Sequence, residues 1–159
     1  MKKLAVLALV FLLPSLLTAC ATPGGSSFSP EDADRYYSLA IKAAGNEDYA
    51  STVDYCTRTI KANPRHRDAY KLRGATYGLQ KQYDKGIADF EKAIALAPDD
   101  AQAVEGRGLV RMHKALANPD DSGSVDLLKL AVMDLLDACD KGSRSACKTL
   151  EDIKKSLGD

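Results

Sequence analysis

The sharpest chemistry available to this 159-residue sequence lies in four cysteines and two histidines. Thiolate and imidazole groups bind zinc or act as nucleophile and base, but only with partners at short, defined spacings. His66 and His113 have no second His or Cys at such a spacing. No His-Glu-x-x-His pair, glycine-rich phosphate loop or Gly-x-Ser-x-Gly turn is present. Metal, phosphoryl-transfer and triad chemistry are therefore not expected, nor is any enzyme activity or bound cofactor. The cysteines fall into separate settings. Cys20 ends an apolar run, Cys56 sits mid-chain, and Cys139 and Cys147 flank a Gly142 turn.

Cys20 belongs to a segment with its own logic. Lys2 and Lys3 precede an apolar run from Leu4 to Leu17, interrupted only by Pro14 and Ser15. That run suits a signal peptide and falls short of the ~20 residues that span a bilayer as a helix. The Leu17-Thr18-Ala19-Cys20 end resembles the bacterial lipobox. The resemblance implies cleavage before Cys20, with diacylglycerol on its sulfur and an acyl chain on its new amino terminus. Each buried CH₂ contributes ~0.8 kcal/mol, so two or more chains anchor stably where one does not. Residues 20–29, rich in Gly and Ser, read as a flexible tether with a reach of roughly 15 to 20 Å. By resemblance to lipoproteins of two-membrane bacteria, Ala21 after the lipidated Cys implies an outer-membrane location facing the periplasm.

The remaining chain, 30–159, carries the fold. The full sequence balances 22 basic against 22 acidic residues, and loss of Lys2 and Lys3 leaves a slight acidic excess. No basic stripe with interleaved aromatics occurs, so nucleic acid is not an expected partner. Apolar content is led by Ala and Leu, and turn dipeptides are too few for a sandwich, which predicts an all-α fold. Pro64 and Pro98 lie 34 residues apart, and the segments ending at them superpose. In the second, Tyr70, Gly74, Tyr77, Gly86, Phe90, Ala93 and Pro98 resemble the tetratricopeptide repeat (TPR) pattern. Small Gly74 and Gly86 would let two helices approach, aromatic groups would fill the space around them, and Pro98 would end the second helix.

Repeats are expected at about 33–66, 67–100 and 101–142. In the first, Ser29 caps a helix near 30–44, Gly45-Asn46 stops it, and a second helix follows near 47–61. Cys56 replaces Phe90 there and is expected in the core. In the third, Leu128, Ala131, Leu135 and Ala138 match the second helix of repeat two only after an eleven-residue insertion around 117–124. It is expected in the hairpin turn, as a binding loop or as drift. A capping helix at 143–156 would turn Ala146, Leu150, Ile153 and Leu157 inward. The expected architecture is a right-handed superhelical stack of about three TPR-like antiparallel helix pairs plus this C-terminal cap. The Cys139 to Cys147 segment is similar to the Cys-x₇-Cys segment of Sel1-like repeats, which implies a disulfide between adjacent helices. Two buried reduced thiols are the alternative.

The TPR resemblance places the first helix of each repeat along a concave groove. Its lining would include Tyr37, Ile41, Lys71, Ala75, Leu79, Glu105, Leu109 and Met112. Tyr37 and Ile41 replace the first two members of the Lys/Asn/Arg set with which chaperone adaptors hold a C-terminal carboxylate. An apolar floor with Lys71 and Glu105 on the walls suits an amphipathic helix or extended peptide, unless a neighbouring helix covers it. The basic cluster Arg58, Lys61, Arg65, His66 and Arg67 reads either as solvated charge or as a contact for anionic lipid or an acidic partner. The expected function is a membrane-tethered scaffold for an envelope protein or peptide. The alternatives are a Sel1-like disulfide-bonded periplasmic or secreted ligand-binding factor and a pilotin-like assembly lipoprotein.

Overall fold

The computed structural model describes residues 29–158. The expected signal segment, Cys20 and most of the expected tether lie outside them. Seven helices and no strands occur among the described residues: α1 (Pro30–Gly45), α2 (Tyr49–Ala62), α3 (Arg67–Leu79), α4 (Tyr83–Leu96), α5 (Ala101–Ala117), α6 (Ser124–Asp140) and α7 (Arg144–Leu157). They pack as three hairpins, α1 on α2, α3 on α4 and α5 on α6, with α7 against α6. First helices also touch, α1 with α3 and α3 with α5, and together form one face of the stack.

Local chemistry sets the helix starts. Ser29 and Asp32 form a reciprocal capping box on α1. Side chains of Asp48, His66, Asp100 and Ser143 accept from the first-turn amides of α2, α3, α5 and α7. Each such cap satisfies an amide that the first helical turn leaves without a partner. The first two hairpin turns share a feature at equivalent positions: Glu47 and Lys81 are both left-handed, at φ 57° and 60°.

Close backbone approach fixes the hairpins. A Cβ on Gly86 would lie 2.8 Å from the Gly74 carbonyl oxygen, and one on Gly74 would lie 3.1 Å from that of Gly86. Repeat three uses Gly108 in the same way, against the Ala131 carbonyl. Cys56 is fully buried in the place Phe90 takes one repeat later. Burial pushes its thiol up to about 12, with Arg73 opposing. At the C-terminal end, Val104, Leu135, Ala138 and Ala146 form a core flanked by Leu109, Leu150 and Ile153. Cys139 and Cys147 are joined by a disulfide across Gly142, their Cα atoms 4.9 Å apart.

Two expectations need correction. Leu157, read as facing inward, is 80% exposed, because it is the last residue of α7 and runs past the helices it would pack on. The insertion in repeat three is mainly helical. Relative to repeat two it lengthens α5 by four residues, the connector by three and the start of α6 by four. An α-helical turn takes 3.6 residues, so four more on each arm lengthen the hairpin without turning its buried face away.

Gly86→Ala should lower the urea unfolding free energy by about 1 to 3 kcal/mol, since the neighbour it strikes is backbone. Gly45→Ala, with no atom within 4 Å of the added Cβ, should be neutral or raise it by up to about 1 kcal/mol. In the native chain Cys56 should resist alkylation at neutral pH. Unfolding without reductant should expose Cys56 alone among residues 29–158, and reductant should add Cys139 and Cys147, as read by intact mass.

Candidate functional site

The first helices enclose a groove of about 410 Å³. Leu72 and Ala75 of α3, Gly106 and Leu109 of α5, and Phe90 of α4 make its apolar floor, while Tyr37, Asp68, Lys71, Gln102 and Glu105 supply its walls. Phe90 comes from a second helix and is only 4% exposed. It reaches the floor because Gly106 has no side chain: a Cβ there would lie 2.3 Å from the Phe90 ring. Leu109 belongs to both the groove and the C-terminal core, so core packing holds one side of the groove.

Of the eight groove residues expected from the sequence, the structure brings Tyr37, Lys71, Ala75, Glu105 and Leu109 together. Ile41, Leu79 and Met112 are not part of this lining. They lie one turn further along α1, α3 and α5, at i+4, i+4 and i+3 from Tyr37, Ala75 and Leu109. Ile41 and Leu79 are exposed there, and Met112 is half-buried. Leu72, Phe90 and Gly106 were missed. A glycine inside a helix, two residues before the expected Gly108, was the available signal for a close approach.

Lys71 is not a free cation. Its ammonium lies 3.0 Å from Asp68, 2.9 Å from Asp100 and 3.3 Å from the Gln102 side-chain oxygen. Arg67 also reaches both carboxylates, at 3.5 and 3.3 Å. Burial works against the Lys71 charge, but the hydrogen bonds and charges of Asp100 and Asp68 outweigh it and raise its pKa. Burial likewise opposes both carboxylates, and the Lys71 and Arg67 contacts hold them below their ordinary values. Glu105 differs. It accepts from the Ser143 hydroxyl at 2.5 Å and has no ion-pair partner among the described residues.

The capping helix leaves this groove open. Ser143, Arg144 and Ser145 border an adjoining hollow of about 430 Å³ beyond Glu105, and no α7 residue lines the groove itself. The basic cluster is largely engaged. Arg58 pairs with Asp54 and stands over Tyr36, Arg67 joins the Lys71 network, and His66 caps α3 with its ring 4.5 Å from that of Tyr37. A second apolar surface lies on the outer face of α6, where Val125, Leu130, Met133 and Leu136 are exposed. Among the described residues no His/Cys/Asp/Glu group is arranged to hold a metal, and no helix is long and apolar enough to cross a membrane.

The family model for the tetratricopeptide repeat matches residues 68–100. The chain is 32% identical over 74 residues to a UDP-N-acetylglucosamine–peptide N-acetylglucosaminyltransferase of Giardia intestinalis, and 33% identical over 73 residues to a heat shock protein sti1 homolog of Schizosaccharomyces pombe. These matches take in 46% and 43% of this chain, but only 5% and 12% of the relatives. Among solved structures, the first TPR of Spaghetti (RPAP3), bound to the HSP90 peptide SRMEEVD, shares 19% identity at a TM-score of 0.68. The match covers 85% of this chain and all of that one. The fold is that of TPR domains.

The ion-pair network predicts an acid-sensitive stability. Because folding lowers the Asp68 and Asp100 pKa values, their contribution is complete above the ordinary carboxylate value of ~3.9 and is lost as pH falls through the lowered folded values. Asp100→Asn keeps a competent helix cap, so its cost isolates the charge. It should lower stability by about 1 kcal/mol at neutral pH and flatten the fall on acidification, as measured by urea unfolding at pH 7 and pH 3.

Proposed function

We propose that this chain is a protein-binding module held at a bacterial envelope membrane by lipid on Cys20, with the groove of α1, α3 and α5 as its docking surface. The observation that carries the reading is the open, apolar-floored groove of about 410 Å³ on a TPR fold. Most of the floor is backbone or aliphatic side chain, which can bury an apolar group without leaving a polar atom unpaired. The polar walls give orientation. The first TPR of Spaghetti is bound to a peptide in its solved structure, and that use of the fold supports the reading.

Export is supported by two independent features. The lysine pair and apolar run before Cys20 fit a secretory signal, and the Cys139–Cys147 bond fits an oxidising compartment. A tether of roughly 15 to 20 Å would let the domain meet partners close to the bilayer while keeping the groove in water. The outer membrane, periplasmic side, is the proposed location. The transferase named among the relatives lends no activity to this reading, since the shared segment is 5% of that enzyme. The disulfide also favours a second reading, a released Sel1-like binding factor in which the bond rather than the lipid is central.

Two substitutions separate these readings. Cys20→Ala should move the chain from the membrane to the soluble fraction and abolish function if tethering is required. Retained function would favour the released factor. A photo-crosslinking residue at Leu79, beside the groove, should capture a discrete partner, while the same residue at Met133 on the outer face of α6 should not. Capture at Met133 alone would overturn the groove as the docking surface.

A further inference from the structure

We infer that the groove takes a segment with a basic side chain two residues from an apolar one, and disfavours an acidic tail. The inference rests on the groove being a peptide site, as proposed above.

The charges argue for it. An ammonium has three N–H donors, and Lys71 faces three acceptors within the protein, on Asp68, Asp100 and Gln102. An incoming carboxylate would find those donors occupied and would lie against Asp68, Asp100 and Glu105. Arg67 is bound to the same two aspartates. Lys141 and Arg144 border the adjoining hollow rather than the groove, and Lys141 is paired with Asp137. Glu105 is the wall charge left unbalanced. It is half-buried and held at one oxygen by the Ser143 hydroxyl at the start of α7. A cation from a partner would complete it.

Spacing supplies the second half. Glu105 and Leu109 occupy successive turns of α5, about 5 to 6 Å apart at Cβ. In an extended peptide, residues i and i+2 project from the same side about 6.6 Å apart. An apolar side chain lying on Leu72, Ala75, Phe90 and Leu109 would therefore place the residue two positions away beside Glu105. The inverse arrangement, an acidic residue at that position, would put two carboxylates together in a half-buried site.

Fluorescence anisotropy with the full-length chain in detergent micelles tests this with three labelled peptides: a repeating apolar-x-Arg sequence, its apolar-x-Asp counterpart, and SRMEEVD. The basic peptide should bind about tenfold more tightly than either acidic one. Glu105→Gln, which can still accept from Ser143, should weaken it about fivefold with thermal unfolding unchanged. Glu105→Lys should shift preference toward the acidic peptides. Equal or tighter binding of the acidic peptides, no binding of the basic one, or indifference to Glu105→Gln would overturn the inference. If the basic peptide fails while crosslinking at Leu79 still captures a partner, the inference falls and the docking proposal stands. Failure of both removes both.

Discussion

The Gly74 carbonyl oxygen stands where a side chain on Gly86 would begin, and this backbone contact positions much of what surrounds the groove. It draws α3 and α4 together further than any pair of side chains would permit. With α4 that close, Phe90 projects beneath α5 and meets the gap left by Gly106, so a ring from the second helix of one repeat becomes floor for the first helices of two. A fully buried Phe is worth ~2 to 3 kcal/mol relative to exposure. The same packing therefore stabilises the stack and closes the base of the groove.

Buried ion pairs hold the second and third hairpins in register. Arg73 binds Asp89 through two hydrogen bonds of 2.7 and 2.8 Å and also donates to Thr57 of the preceding repeat. Arg107 and Arg111 do the same for Asp134 in repeat three. Asp89 and Asp134 are both buried, and removing one partner of such a pair typically costs 3 to 5 kcal/mol, whereas replacing both by apolar groups is often neutral. Repeat one has Leu39 and Tyr55 at the corresponding positions. The first hairpin thus lacks this charge pair, while the second and third specify their alignment through it.

Period and punctuation were legible without coordinates. Pro64 and Pro98, the Ser29 cap, the two close-approach glycines and the place of Cys56 all follow from local rules that act within one helix or one hairpin. What escaped depended on chains meeting across repeats. Lys71 reads as a groove cation from its position in α3, but its charge is consumed by Asp100, which caps the next repeat's first helix. Phe90 reads as intrahairpin filling, and only the missing side chain at Gly106 brings it to the groove. Leu157 satisfies the apolar periodicity of α7 yet outruns its partners, because periodicity gives a face and not the length of what that face meets. The insertion in repeat three reads as turn, and its helical character escapes, since four residues added to each arm preserve the pattern on both sides.

The central claim is that the face built by α1, α3 and α5 is where a partner sits. Amide NMR of the isotope-labelled full-length chain in micelles, titrated with the apolar-x-Arg peptide, tests it most directly. Shift changes should cluster at Tyr37, Lys71, Ala75, Glu105 and Leu109 and fade along α6. Changes centred on Val125, Met133 and Leu136, with the groove residues unmoved, would contradict it.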